Sequence, residues 1–150
     1  MDNLTKKRRS WTMSRVRSRD TVPEMYIRSS LFRRGYRYRV NYRSVPGSPD
    51  LYFIRAKVAV FVHGCFWHGH AGCRNARLPK SRVDYWTAKF QANIKRDGEV
   101  KNKLLDKGVR VLVIWECTVK KMMKNARIHY SVMEKFDNFF HRNLKRYAEI

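Results

Sequence analysis

Lys57-Val58-Ala59-Val60-Phe61-Val62-His63 and, further on, Val109-Arg110-Val111-Leu112-Val113-Ile114-Trp115 are the two stretches that decide the fold. Neither shows the strict apolar/polar alternation of a strand with one wet face, so each reads as a strand covered on both faces. Between them Ser81 is expected to cap a helix running to about Asp106, with Val83, Trp86, Phe90, Ile94 and Leu104 on one face and Gly108 closing it. Strand, long helix and strand make a crossover unit, so the two strands are expected to run parallel.

Upstream, Thr21-Val22-Pro23-Glu24 spells a capping box with Pro in the first turn. Met25, Ile27, Leu31 and Phe32 supply the apolar face of that helix, and Gly35 ends it. Tyr36, Tyr38 and Val40 alternate with Arg37 and Arg39 as a half-buried strand, and Asp50 to Ile54 forms another after the loop Val45-Pro46-Gly47-Ser48-Pro49. Downstream, Lys124 to about Ala148 reads as a helix with Val132, Phe136, Phe139, Phe140 and Leu144 facing inward. The fold class is therefore α/β, a mixed sheet flanked by helices, with one domain over residues 21–150 behind a basic arm over 1–20. The arm carries Lys6, Lys7, Arg8, Arg9, Arg15, Arg17 and Arg19 with no strong helical or strand period, so it is expected to be partly disordered until it wraps DNA.

The 150 residues hold 34 Lys+Arg against 12 Asp+Glu, a formal charge of +22. An excess of that size calls for an anionic partner, and nucleic acid is the usual one. No uninterrupted apolar run is longer than Val58 to Val62, far below the roughly 20 residues of a spanning helix, so no membrane partner is expected. No apolar stretch follows Lys6-Lys7-Arg8-Arg9, so no secretory signal is expected and the cytoplasm, in association with the nucleoid, is the expected location.

Three cysteines cannot all pair, and reduced thiols point to metal rather than to disulfides. Cys65 and Cys117 each stand two residues past the end of a predicted strand, at His63 and Trp115, with His70 and Cys73 in the loop between. If the strands are parallel neighbours, both cysteines leave the same sheet edge and Cys65, His70, Cys73 and Cys117 close a tetrahedral zinc site. With four protein ligands that metal is structural. Asp50 is isolated among basic residues, and its strand turns tightly into the one leading to His63 and His68. One carboxylate is enough to hold Mg²⁺, and a nearby imidazole can take a proton from an attacking water.

At Pro49-Asp50 and Phe61-Val62-His63-Gly64-Cys65-Phe66-Trp67-His68-Gly69-His70 the chain resembles the very short patch repair (Vsr) endonucleases, a branch of the restriction-endonuclease-like superfamily. The resemblance extends from Met13 and Arg19-Asp20-Thr21 through Pro79-Lys80-Ser81-Arg82, Trp86, Lys89, Asn93 and Arg96-Asp97 to Val111–Cys117. It implies a restriction-endonuclease-like three-layer fold and a Mg²⁺-dependent enzyme that nicks one strand of double-stranded DNA beside a T·G mismatch left by deamination of 5-methylcytosine. It implies that Asp50 binds Mg²⁺ and that His68 is the general acid or base. Glu24 would assist through the metal's water shell or by orienting His68, and His63 would be a second active-site histidine. It matches Cys65, His70, Cys73 and Cys117 to the structural zinc ligands, and Phe66, Trp67 and Met13 to a wedge entering the base stack. The superfamily's Glu-x-Lys is replaced here by Phe61-Val62-His63, and Val62 stands where some members carry Thr, leaving its backbone carbonyl for the metal.

Lys89 and Asn93, one turn apart, are placed to reach base edges or phosphates, and Arg15 and Arg19 belong to the DNA-wrapping arm. Phe66 and Trp67 are read as wedge or as packing, and Asp97 as active-site support or as a surface ion pair. A monomer is expected, with mismatch-repair proteins as candidate partners. The rival readings are a non-catalytic, zinc-stapled DNA-binding module and a double-strand-cutting relative.

Overall fold

Parallel pairing of the two buried strands forms the centre of the molecule. The computed structural model describes residues 5–142 and 144–150, so residues 1–4 of the arm and residue 143 of the expected terminal helix lie outside the described residues. The elements in chain order are α1 (Lys6–Ser14), α2 (Val22–Arg33), β1 (Arg39–Val40), β2 (Leu51–Phe53), β3 (Val58–His63), a 3₁₀ turn (Arg74–Ala76), α3 (Val83–Asp106), β4 (Arg110–Trp115), α4 (Glu116–Lys124), α5 (Ala126–Arg142) and β5 (Tyr147–Glu149). The sheet order is β1-β2-β3-β4-β5. The first two pairings are antiparallel and the last two parallel.

The two faces of the sheet divide the side chains of β3 and β4 by parity. Val58, Val60, Val62, Leu112 and Ile114 join Ile27 and Leu31 of α2, Val119 and Met122 of α4, and Val132, Met133 and Phe136 of α5 in the main core. Ala59 and Val111 face the other way and meet Leu104 of α3. Helices therefore cover both faces, which is why these strands lack polar alternation. The β3–β4 register pairs Val58 with Arg110 and His63 with Trp115, so both strands end at the same level. That shared end is what places the functional loops together.

Several expectations need correction. Residues 6–14 form a helix, capped by the Thr5 hydroxyl, which accepts from the Arg8 N–H. It has no buried residue, so there was no apolar stripe for its sequence to display. On α2 the inner stripe is Glu24, Ile27, Arg28 and Leu31, whereas Met25 and Phe32 face solvent. On α3 only Phe90 and Leu104 are buried. Val83 and Ile94 are half exposed, and Ile94 lines an open cavity instead of a core. Ser81 does not cap α3, because the chain enters that helix through Arg82 in the left-handed conformation (φ 54) with no side-chain cap. Only Arg39 and Val40 of the expected 36–40 strand pair with β2, while the Tyr36 and Tyr38 rings pack on Phe53.

The expected terminal helix, Lys124 to about Ala148, is one helix, α5, followed by the strand β5, and a further helix, α4, precedes it where none was expected. Asn125 separates α4 from α5, and its side-chain oxygen accepts from the Ile128 N–H to start α5. Leu144 is 83% exposed, not inward-facing. Residues 146–150 instead pair with the open edge of β4: Val111 N–H donates to Arg146 O, Ile150 N–H to Val113 O, and Trp115 N–H to Ile150 O. A bare strand edge beside the core is a hazard, and β5 covers it.

Candidate active site and metal centre

The loop leaving β3 folds back on itself through backbone bonds from His70 N–H to Cys65 O and from Cys73 N–H to His70 O. Gly69 (φ +60) and Gly72 (φ +71) take the left-handed conformations this requires. Cys117 arrives from the first turn of α4, just past the aligned end of β4. The Sγ atoms of Cys65 and Cys117 each lie 3.5 Å from His70 Nδ1. One ligand atom from each of Cys65, His70, Cys73 and Cys117 lies within 4.8 Å of the others, so this cluster could hold a metal ion. None of the three cysteines is in a disulfide. Burial pushes the Cys65 thiol up to about 12, whereas backbone N–H donation from Asn75 pulls the Cys73 thiol down. Three thiols converging with one imidazole are the donor set a soft cation stabilises.

Beside this cluster a cleft of about 1050 Å³ brings together Glu24, Asp50, Val62, His63 and His68, with Trp67, Lys89 and Asn93 on its wall. Asp50 reaches it because Gly47 (φ +79) lets the preceding loop lie against α3: a Cβ there would sit 2.3 Å from Val100 Cγ1. Asp50 Oδ2 accepts from the Val62 N–H at 2.7 Å. Burial pushes the Asp50 carboxyl up to about 6, against the opposing pull of that N–H, and the nearby Glu24 adds to the rise. Glu24 itself is buried and fully engaged. Its Oε1 accepts from the Thr21 hydroxyl, and its Oε2 from the Asp20 N–H and Arg28. The Thr21 hydroxyl also accepts from the Glu24 N–H, the N-cap half of the expected capping box, and Glu24 reaches back to the Asp20 N–H, which holds it at the cleft edge.

His68 is fixed from two directions. Its Nδ1 lies 2.6 Å from Asp97 Oδ2, and its ring stacks on His63 with centroids 3.8 Å apart and planes at 5°. The side chain that contacts the His68 ring nitrogen is therefore Asp97, whereas the Glu24 carboxylate is taken up by Thr21, Asp20 and Arg28. The signal for it was the four-residue spacing Lys89, Asn93, Asp97, which lines up one stripe of α3. Burial, then the neighbouring His68, pushes the His63 imidazole down to about 4, so it is neutral at physiological pH. His63, His68 and Asp97 also offer ligand atoms within 4.8 Å of one another. Parallel rings aim their lone pairs in separate planes, so the trio is better arranged to move a proton than to chelate.

The remaining expected DNA-binding residues fall into two groups. The Phe66 ring packs on Trp67, Trp86 and Phe90 at 5.1, 5.4 and 4.8 Å, forming an aromatic wall rather than a free blade. Asn93 Nδ2 donates to the Trp67 carbonyl, and Lys89 Nζ lies over the Trp67 and Trp86 rings. Arg19 lines the cleft. Met13 sits on α1 outside that lining, and Arg15 stacks over Trp11.

Residues 1–74 match the family model described as DNA mismatch endonuclease Vsr. The chain is 46% identical over 121 residues, 81% of its own length and 88% of the relative's, to type II nicking enzyme V.XorIIP of Xanthomonas oryzae pv. oryzae. It is 39% identical over 134 residues, 89% of this chain and 95% of the relative, to type II nicking enzyme V.NmeAIP of Neisseria meningitidis serogroup A. It is 37% identical over 112 residues, 75% of this chain and 71% of the relative, to DNA mismatch endonuclease Vsr of Escherichia coli. Likeness of this extent, on a chain whose carboxylate and paired histidines share one cleft, makes the protein a member of the Vsr family of strand-nicking endodeoxyribonucleases.

Proposed function

We propose that this enzyme hydrolyses one phosphodiester beside a T·G mismatch in double-stranded DNA, using a divalent cation held at Asp50 and the His68–Asp97 pair as the proton acceptor. The observation that carries the reading is the 2.6 Å link between His68 and Asp97 in the cleft that also contains Asp50. Asp97 fixes the His68 tautomer with the proton on Nδ1, leaving Nε2 to accept a proton from water. As that proton arrives, the Asp97 carboxylate stabilises the imidazolium. His63, neutral and stacked on His68, keeps the ring plane fixed and water away from its face. Trp67, backed by the Phe66 ring, faces the same cleft, and a mismatched step costs less to unstack against such a ring than a matched one.

The residues present suit Mg²⁺. One Asp50 oxygen accepts from Val62, and among the described residues no donor takes the other. The raised carboxyl shows a buried charge short of cationic compensation. Asp50 and the Val62 carbonyl would hold the ion, which supplies charge stabilisation to the phosphoryl and leaving oxygens. For the four-residue Cys/His cluster the donor set fits Zn²⁺ in a structural, closed site. The three-layer arrangement supports a restriction-endonuclease-like fold for residues 21–150, with residues 1–20 as an arm on the DNA, acting as a monomer.

A strand-labelled duplex with one T·G pair, incubated with Mg²⁺ beside its matched control, tests this. A nick confined to the T strand of the mismatched duplex is expected. Binding without cleavage would make the protein a zinc-stapled DNA-binding module. Cutting of both strands in the matched duplex would make it a double-strand nuclease.

A further inference from the structure

Behind the His63–His68 pair, on the side away from the DNA cleft, lies a second cavity of about 390 Å³. His63, His68 and Asp97 line both spaces, so the pair is a partition with its rear face open to this cavity. No hydrogen bond fixes the His63 ring among the described residues. Its place is set by packing: Phe61, the His68 stack, and the edge of Trp115 at 5.5 Å and 70°.

Trp115 is held far more firmly. Its indole stacks on His70 at 4.0 Å and 3°, its Nε1 donates to Glu149 Oε2 at 3.0 Å, and its backbone N–H donates to Ile150 O. The Tyr147 hydroxyl donates to the other Glu149 oxygen, and Lys101 Nζ lies 4.4 Å from the Tyr147 ring centre. Lys101 is one helical turn after Asp97 on α3. A closed circuit of contacts therefore runs from Asp97 through His68, His63, Trp115, Glu149, Tyr147 and Lys101 back to α3.

We propose that Trp115 is a positioning residue for the His63–His68 pair, and that Glu149 of the C-terminal strand locks it there. The short strand β5 then serves the reaction as well as the sheet edge. The inference rests on the reading of His68 as the proton acceptor.

The experiment compares nicking of a T·G duplex by the full-length wild type, Glu149→Ala, Glu149→Gln, Trp115→Phe and His68→Ala. The thiol cluster is monitored separately by the thiolate-to-metal absorption of Co²⁺-loaded protein. Glu149→Ala and Trp115→Phe are expected to lower kcat by about tenfold or more, since small misplacements of a reacting group are expensive. KM should stay within twofold and the cobalt band should be unchanged. Glu149→Gln keeps an acceptor for the indole and is expected to recover most of the loss. The proposal is overturned if Glu149→Ala and Trp115→Phe keep wild-type kcat, if the cobalt band is lost along with activity, or if Glu149→Gln is as impaired as Glu149→Ala. Full activity in His68→Ala would instead remove the proton-acceptor reading on which it stands.

Discussion

Asp50 illustrates how burial and function conflict in one side chain. Its carboxyl, pushed up to about 6 mainly by desolvation, binds its proton more tightly in the folded chain than in the unfolded one. Without metal, that contribution to stability is complete below the unfolded carboxyl value of about 4 and is lost as pH rises through about 6. Asp50→Asn removes the loss. The metal-free variant should melt at the same temperature as wild type near pH 4 and higher at pH 8, by a margin worth at most about 2–3 kcal/mol. The same variant should nick at least about a hundredfold more slowly, because the carboxylate proposed to hold the cation is gone. Adding Mg²⁺ at pH 8 should raise the melting temperature of wild type but not of the variant. A variant no more stable at pH 8 would show that the carboxylate is not strained by burial. Asp97→Asn probes the other half of the site. It keeps the size of the His68 partner but lets the amide favour the wrong tautomer, so kcat should fall by about 10²–10⁴ with duplex affinity unchanged. Wild-type kcat in that variant would reduce Asp97 to an ordinary ion-pair partner.

Among the elements, the ones legible in the sequence are those whose pattern has a single physical cause. β3 and β4 are continuous apolar runs because helices cover both faces, and the register that ends them together follows from the crossover. The Cys/His cluster was legible for the same reason, since its spacing is measured from those strand ends. What was not legible lacks a buried stripe or is too short to carry a period: α1 buries nothing, and β5 is three residues whose role is to cover an edge. The inner stripe of α2 was misread because Glu24 and Arg28 satisfy each other, which lets polar residues occupy a buried face. The loop before β2 gives a sharp element-level prediction. Gly47→Ala would press a methyl group into Val100 from a left-handed backbone position, so it should cost about 1–3 kcal/mol in chemical denaturation. Because the loop carries Asp50, nicking should fall with it; a variant of full stability and activity would show that this loop is free to lift off α3. At the same end of the sheet, just past β4, Cys117→Ser should abolish metal binding at the proposed Cys/His site and lower the melting temperature, since a closed metal site contributes folding energy directly. Elemental analysis of the purified variant with metal still bound in full would contradict a Cys117 ligand.

At the scale of the whole molecule, charge decides what the enzyme meets first. The excess of 22 positive charges is spread over a chain with no helix, among the described residues, long and apolar enough to cross a membrane. Within it the cleft is locally balanced: the carboxylates of Glu24, Asp50, Asp97 and Glu116 face Arg17, Arg19, Lys89 and Arg96. A polyanion is therefore drawn by the exterior, and the carboxylates of the cleft would be screened once a divalent cation lay between them and a phosphate. Affinity for a duplex should then be dominated by counterion release, falling linearly on a log–log plot against salt. The arm offers a way to divide that dependence between surface and site. Lys6, Lys7 and Arg8 are exposed on α1, which buries no side chain, so replacing all three by Gln leaves the core and the cleft untouched. If the arm lies along the phosphate backbone, the salt slope should flatten by about two to three, near 0.9 for each phosphate released. Cleavage of bound duplex at saturation should stay at the wild-type rate, because none of the three lines the cleft that holds Asp50 and His68. An unchanged slope would place the arm away from the DNA, and a lowered saturating rate would give it a part in assembling the site that its position on α1 does not explain.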